Sequence, residues 1–205
     1  MRIIGGDFRG RRLVAPKGDR TRPTADRVRQ ALFDMLVHAP WAKGDAEAGA
    51  AVDARVLDAF AGSGALGLEA LSRGAAEVLF FETDARARRA LAANIAACGV
   101  DERARILAAD ATHPPPPTPR DTPCTLLLLD PPYTEEGLAG RAVAALGRAG
   151  WIAPGALIVL ETGARTGPPP LERNGIAPAL GTLLAERRHG VARLLFFRAA
   201  RRDEF

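Results

Sequence analysis

Asp130-Pro131-Pro132-Tyr133 follows directly on an apolar run, Leu126–Leu129. These residue types suit one task, holding an amine attached to an aromatic ring. Such an amine is a poor nucleophile because its lone pair is delocalised into the ring. The Asp130 carboxylate and the Pro131 carbonyl could both accept its hydrogens and favour a pyramidal geometry. Two successive prolines restrict the backbone and remove competing amide donors. Tyr133, the single tyrosine of the chain, offers a flat face on which a base can stack, worth about 1–3 kcal/mol. Proximity and orientation would carry most of the rate, with Asp130 or water taking the proton.

A second constellation lies upstream. Asp58-Ala59-Phe60-Ala61-Gly62-Ser63-Gly64 ends an apolar stretch and enters a helical pattern, with Gly62, Gly64 and Gly67 spaced as G-x-G-x-x-G. Glycines there allow a tight turn and close approach of backbone to ligand. Glu82 follows at the distance expected of an acid that binds ribose hydroxyls. The pattern fits an adenosine-containing cofactor, either a nicotinamide dinucleotide or S-adenosylmethionine. Asp58 favours the second. An acid just before the loop would repel a pyrophosphate at the helix N-terminus but suits the ammonium of a methionine moiety. Asp110 is placed to accept from an adenine amino group, and an ordinary turn acid would look the same.

Both constellations need strands that end at them, since open α/β sheets bind ligands at the carboxyl ends of their strands. Strand patterns fall at 55–60, 77–82, 104–108, 125–130 and 156–161, with helical patterns at 64–73, 84–98 and 135–149 between them. Near-continuous apolar strands alternating with helices predict a parallel sheet covered on both faces. Residues 180–186 and 191–199 predict a closing antiparallel hairpin. Upstream, residues 2–14 read as a short hairpin around Gly5-Gly6. Thr24 is placed to cap a helix whose apolar face is Val28, Leu32, Met35 and Leu36, with Arg22, Arg27 and Arg29 outside that stripe. Residues 40–54 read as a linker. The segment 113–119, HPPPPTP, cannot be helical and reads as polyproline II or an irregular surface loop.

The 205 residues carry a formal net charge of +4, with 47% hydrophobic and 25% charged residues, the composition of a globular domain. No apolar run is long enough to cross a membrane, and the two cysteines, Cys98 and Cys124, form no disulfide framework or zinc pattern. The expectation is a soluble, cytoplasmic monomer that needs no metal. The charge is segregated: residues 1–30 hold nine Arg/Lys against three Asp/Glu, a net of +6, whereas residues 31–205 hold nineteen against twenty-one, a net of −2. A basic arm on a near-neutral body suits a polyanionic partner.

The chain resembles the D-P-P-Y class of S-adenosylmethionine-dependent amino-methyltransferases and, more narrowly, the bacterial 16S rRNA guanine-N2 methyltransferase family called RsmD. The likeness rests on RIIGGDFRGRRL (2–13), TRPTADRVRQALFDML (21–36), VLDAFAGSGALGLEALSRGA (56–75), FFETD (80–84), LLDPPY (128–133) and, more loosely, GWIAPGALIVLE (150–161). Gln30 departs from the family's usual Glu. The resemblance implies a Rossmann-like class I fold, a seven-stranded, mostly parallel sheet with a C-terminal antiparallel hairpin. It implies a basic RNA-contact extension, residues 1–40, on a methyltransferase domain, residues 53–205. The cofactor set is Asp58, Phe60, Gly62, Ser63, Gly64, Glu82 and Asp110. The catalytic set is Asp130, Pro131 and Tyr133. The substrate-binding set is Arg9, Arg11, Arg12, Arg22, Thr24 and Pro132. The implied substrate is a guanine, conventionally numbered 966, of 16S rRNA in an assembled or assembling small subunit. Adenine-N6 methylation of DNA or RNA is the alternative, because D-P-P-Y serves either amine. A non-catalytic RNA-binding factor on the same fold and a dinucleotide oxidoreductase are the remaining readings.

Overall fold

The apolar runs become buried strands in the computed structural model, which describes residues 1–15, 23–43, 49–132, 137–163 and 181–200. Seven strands form a mixed sheet: β1 (Arg55–Asp58), β2 (Glu77–Phe81), β3 (Ala104–Leu107), β4 (Cys124–Leu129), β5 (Ile152–Gly163), β6 (Thr182–His189) and β7 (Ala192–Arg198). The helices are α1 (Pro23–His38), α2 (Pro40–Lys43), α3 (Ala65–Ser72), α4 (Ala85–Cys98) and α5 (Leu138–Ala149). The expected Rossmann-like class I architecture is therefore the one observed. No described helix is long and apolar enough to cross a membrane. The chain divides into two compact units, Met1–Ala108 and Ala109–Phe205.

In the first unit β2 pairs in parallel with both β1 and β3. Val56, Leu57, Phe80 and Phe81 are buried, as strands covered on both faces require. Helix α4 starts where Asp84 accepts the amides of Arg86 and Ala87 at 2.9 and 2.7 Å and stops at left-handed Gly99. Both signals are in the sequence. Helix α2 occupies part of the segment read as linker, and residues 44–48 lie outside the described ones.

Two expectations for α1 need correction. The helix begins at Pro23, so Thr24 sits in the first turn instead of capping it. Proline suits the first helical position because its missing amide would have no helical partner there. Arg29 is not on the solvent side: it is 5% exposed. Its guanidinium donates to the Arg2 carbonyl at 2.7 Å and to Asp26 at 2.9 Å, and lies 3.7 Å from the buried Glu69 carboxylate. A buried charge of opposite sign overrides the apolar pattern. Phe33, left off the expected stripe, is fully buried.

The N-terminal hairpin closes through one antiparallel bridge, Arg2 to Arg12. Ile3 donates to Arg11 at 2.9 Å and Gly10 to Ile3 at 2.8 Å. Residues 5–10 between them are turns and bends.

In the second unit β4 runs parallel to β5, and β7 pairs antiparallel with β5 and β6, giving the closing hairpin. The Pro-rich segment has no regular structure over 114–118, as its prolines dictate. It is nonetheless anchored: the buried Trp151 donates its indole N–H to the Pro115 carbonyl at 2.8 Å.

Candidate active site

The first unit brings most of the expected cofactor set together. Asp58 is the last residue of β1, and the chain turns through Phe60, Gly62 and Ser63 to Gly64, which precedes α3 in the left-handed conformation. Glu82 follows β2. Its Oε2 accepts the Gly62 amide at 2.7 Å and its Oε1 accepts the Asp84 amide at 2.7 Å. The acid after β2 thereby fixes the glycine loop after β1, and each carboxylate oxygen keeps a second lone pair for a ribose hydroxyl.

Asp58 is 1% exposed. Its Oδ2 accepts the Gly67 amide at 2.9 Å. Its Oδ1 is buried and meets full hydrogen-bond geometry with none of the described residues, although the Phe60 amide is close enough to favour the ionised carboxylate. Burial pushes the carboxyl up to about 7, the Gly67 amide opposes this and the neighbouring Glu82 charge adds to it. A buried oxygen lacking a partner is costly, and a ligand ammonium is the complement it lacks. A Cβ on Gly62 would meet nothing within 4 Å, so the loop borders open space. These residues fit S-adenosylmethionine.

In the second unit Asp130 follows β4 and is exposed, Pro131 is buried and Pro132 exposed. Tyr133 lies outside the described residues. Asp110 forms a local turn, its Oδ1 accepting the Thr112 amide and hydroxyl at 2.8 and 2.7 Å and its Oδ2 lying 3.3 Å from His113 Nδ1. Those bonds, the Thr112 amide first, hold its carboxyl below the usual range. Among the substrate-binding candidates, Arg9, Arg11 and Arg12 are exposed on the N-terminal hairpin, Arg11 resting over the Phe8 ring at 5.9 Å. Arg22 and the Thr24 side chain lie outside the described residues.

Sequence reasoning missed the side chains that join the hairpin to this half of the fold. Glu69, fully buried on α3, accepts the amides of Ile4 and Gly5 at 2.8 Å each. Ser72 donates to the Gly5 carbonyl at 2.5 Å and accepts from the Phe8 amide at 2.9 Å. Asn94, on α4, bonds the backbone of Val14 and of Ser63. The signal was there: each polar residue interrupts the buried stripe of an otherwise apolar helix face.

Comparison with known proteins places this geometry. The family model described as "Conserved hypothetical protein 95" matches residues 1–179. Ribosomal RNA small subunit methyltransferase D of Escherichia coli K12 is 39% identical over 174 residues, 85% of this chain and 80% of that protein. The solved structure of an E. coli candidate methyltransferase, yhhF, matches with a TM-score of 0.75 at 35% identity, covering 98% of each chain. The T. thermophilus 16S rRNA N2 G1207 methyltransferase RsmC, solved with AdoMet and guanosine, shares the fold at a TM-score of 0.64 and 19% identity, covering 89% of this chain and 44% of that one. With its N-terminal hairpin, glycine loop and Asp130-Pro131-Pro132-Tyr133 inside one family match, the chain belongs to the RsmD family of ribosomal RNA small subunit methyltransferases.

Proposed function

We propose that the protein transfers a methyl group from S-adenosylmethionine to the exocyclic N2 amine of a guanine in 16S rRNA. It acts as a monomer, in the cytoplasm and without a metal, on an assembled or assembling small subunit. The observation that carries this reading is the family match over residues 1–179, which takes in the basic hairpin, the cofactor loop and the amine-holding motif together.

S-adenosylmethionine, when bound, supplies an electrophilic methyl group on a sulfonium centre. Asp58 neutralises the cationic amino-acid end, and Glu82 accepts from ribose hydroxyls while holding the Gly62 amide. Phe60, Gly62, Ser63 and Gly64 shape the loop, and Asp110 accepts from the adenine amino group. Asp130 and the Pro131 carbonyl accept the two hydrogens of the target amine, restoring lone-pair character to its nitrogen. Tyr133 stacks on the base, and Pro132 keeps the backbone rigid beside it. The base must leave its stack to reach this motif, which favours an unpaired nucleotide. Arg9, Arg11, Arg12 and Arg22 neutralise phosphates, with Thr24 beside them. Functionally, residues 1–40 are the RNA-contact extension and residues 53–205 the methyltransferase domain.

The test is incubation with methyl-labelled S-adenosylmethionine and, separately, small ribosomal subunits, naked rRNA and duplex DNA, followed by mapping of the labelled base. Label on a guanine N2 of 16S rRNA is expected. Label on adenine, or in DNA alone, overturns the reading.

A further inference from the structure

Asn94 is 1% exposed, on a face of α4 otherwise made of Ala87, Ala90, Leu91, Ile95 and Cys98. An aliphatic side chain would satisfy that stripe. The asparagine instead uses its whole amide. Oδ1 accepts the Val14 amide at 2.8 Å, and Nδ2 donates both hydrogens, one to the Val14 carbonyl and one to the Ser63 carbonyl, each at 2.9 Å. The orientation is forced, because a flipped amide would set its oxygen against two carbonyl oxygens.

The two backbones it joins have different tasks. Ser63 is the centre of the Gly62-Ser63-Gly64 loop. Val14 lies two residues beyond Arg12, the residue that closes the hairpin through its bridge to Arg2. A second, weaker contact runs the same way, the Ser63 hydroxyl lying 3.8 Å from Met1 Sδ. Anchorage of the hairpin does not need Asn94, since Glu69 and Ser72 already hold Ile4, Gly5 and Phe8.

We infer that Asn94 is a positioning residue that couples the cofactor loop to the basic hairpin, so that occupation of the loop orders the hairpin for RNA. The inference rests on the proposed function for what the loop and the hairpin bind. When the loop is held by ligand, the Ser63 carbonyl is fixed and fixes the Asn94 amide. The two bonds to Val14 then form at a smaller entropic cost, and the hairpin is ordered before RNA arrives. Linkage makes the effect reciprocal: RNA tightens cofactor binding by the same factor.

The experiment is amide hydrogen exchange of the full chain with and without S-adenosylhomocysteine, paired with RNA binding measured with and without the same ligand. In the wild type, S-adenosylhomocysteine slows exchange at Leu13 and Val14 and tightens RNA binding by about 5-fold or more, the lower end of allosteric couplings. In Asn94→Ala both effects disappear, while RNA binding without ligand stays within about 2-fold of wild type, the arginines being unchanged. A purely structural Asn94 would lower the melting temperature and leave the ligand-induced ratio intact, which overturns the inference. So does unchanged exchange at Val14 in the ligand-bound wild type, a readout that needs no variant to fold. Absence of RNA binding in every condition would sink the RNA reading instead, and the Val14 protection would still decide the coupling from the loop.

Discussion

Glu69 accepts the amide of Ile4 at 2.8 Å across 65 residues of sequence, and with it the amide of Gly5. The same carboxylate pairs with Arg73 at 2.8 Å and lies 3.7 Å from Arg29, while Arg73 sits 5.2 Å from the Phe33 ring. One buried acid therefore ties α3, α1 and the N-terminal hairpin into one body. Glu69→Ala leaves the buried Arg29 and the partly buried Arg73 short of a partner, and removal of one member of a buried pair costs about 3–5 kcal/mol. Glu69→Gln keeps an acceptor for one amide and should cost less. Urea denaturation checks the order, and a loss under about 1 kcal/mol for the alanine variant would contradict the tie.

Asp58 gives cofactor binding a pH dependence. Burial pushes its carboxyl up to about 7, above the ordinary aspartate value of 3.8, so between those values the folded protein holds a proton that the unfolded chain has lost. Stability contributed by this group therefore falls as pH rises from about 4 to about 7 and is level above that. Ligand binding runs the other way, since a ligand ammonium prefers the ionised carboxylate. The affinity for S-adenosylmethionine should rise through pH 7 and level off above it. In Asp58→Asn that rise should vanish, with weaker binding at pH 8. Calorimetric titrations from pH 5.5 to 8.5 would show both, and a flat wild-type profile would refute the assignment.

Arg9, Arg11 and Arg12 are exposed on a hairpin whose backbone is held from below. Their contribution should be electrostatic. Replacing all three by alanine should weaken RNA binding at every sequence and reduce the slope of log K against log salt by about 2–3, at roughly 0.7–0.9 per lost phosphate contact. The fold should be unaffected, because the hairpin is held through backbone amides and not through these side chains. An unchanged slope would return the three arginines to a solvated surface.

Asp130 is assigned to the amine and not to the cofactor. Asp130→Ala should reduce kcat by about 100-fold or more, the scale of a lost proton acceptor. The affinity for S-adenosylhomocysteine should stay within about 2-fold. If single-turnover rates held while cofactor affinity collapsed, the assignment of roles would have to be reversed.

Much of the fold was legible because strand and helix signals agreed with one another. Asp84 and Gly99 bracket α4 by cap chemistry alone, and the apolar run before Asp130 is β4. What escaped was polar and long-range. Arg29 lies outside the apolar stripe of α1, and only Glu69, forty residues on in the sequence, makes its burial favourable. Glu69, Ser72 and Asn94 act on backbone groups of the N-terminal hairpin, and backbone groups carry no sequence signature. The prolines of 114–117 dictate the absence of regular structure there, but the anchor on Trp151 depends on one indole N–H whose partner cannot be chosen from sequence.

Gly67 and Gly62 separate the two reasons for a glycine in the cofactor loop. A Cβ on Gly67 would overlap the Phe80 ring and lie 2.8 Å from Val78 Cγ1. Both belong to β2, a buried strand that cannot yield, so Gly67→Ala must push α3 away from the sheet. Overpacking of this kind costs about 1–3 kcal/mol. The shift also stretches the 2.9 Å bond from the Gly67 amide to Asp58, so cofactor affinity should fall along with stability. Phe80→Leu should recover part of both losses in the double variant, a coupling expected only of residues in contact. Gly62 is the opposite case. Its φ of 53° costs an alanine about 1–2 kcal/mol, but no protein atom stands in the way of its Cβ. Gly62→Ala should therefore lose affinity for S-adenosylhomocysteine out of proportion to its small loss of stability, because the methyl group enters the space assigned to the ligand. Thermal unfolding and calorimetry on the two variants give the comparison. Equal ratios of affinity loss to stability loss would show that the open space beside Gly62 is not where the cofactor binds.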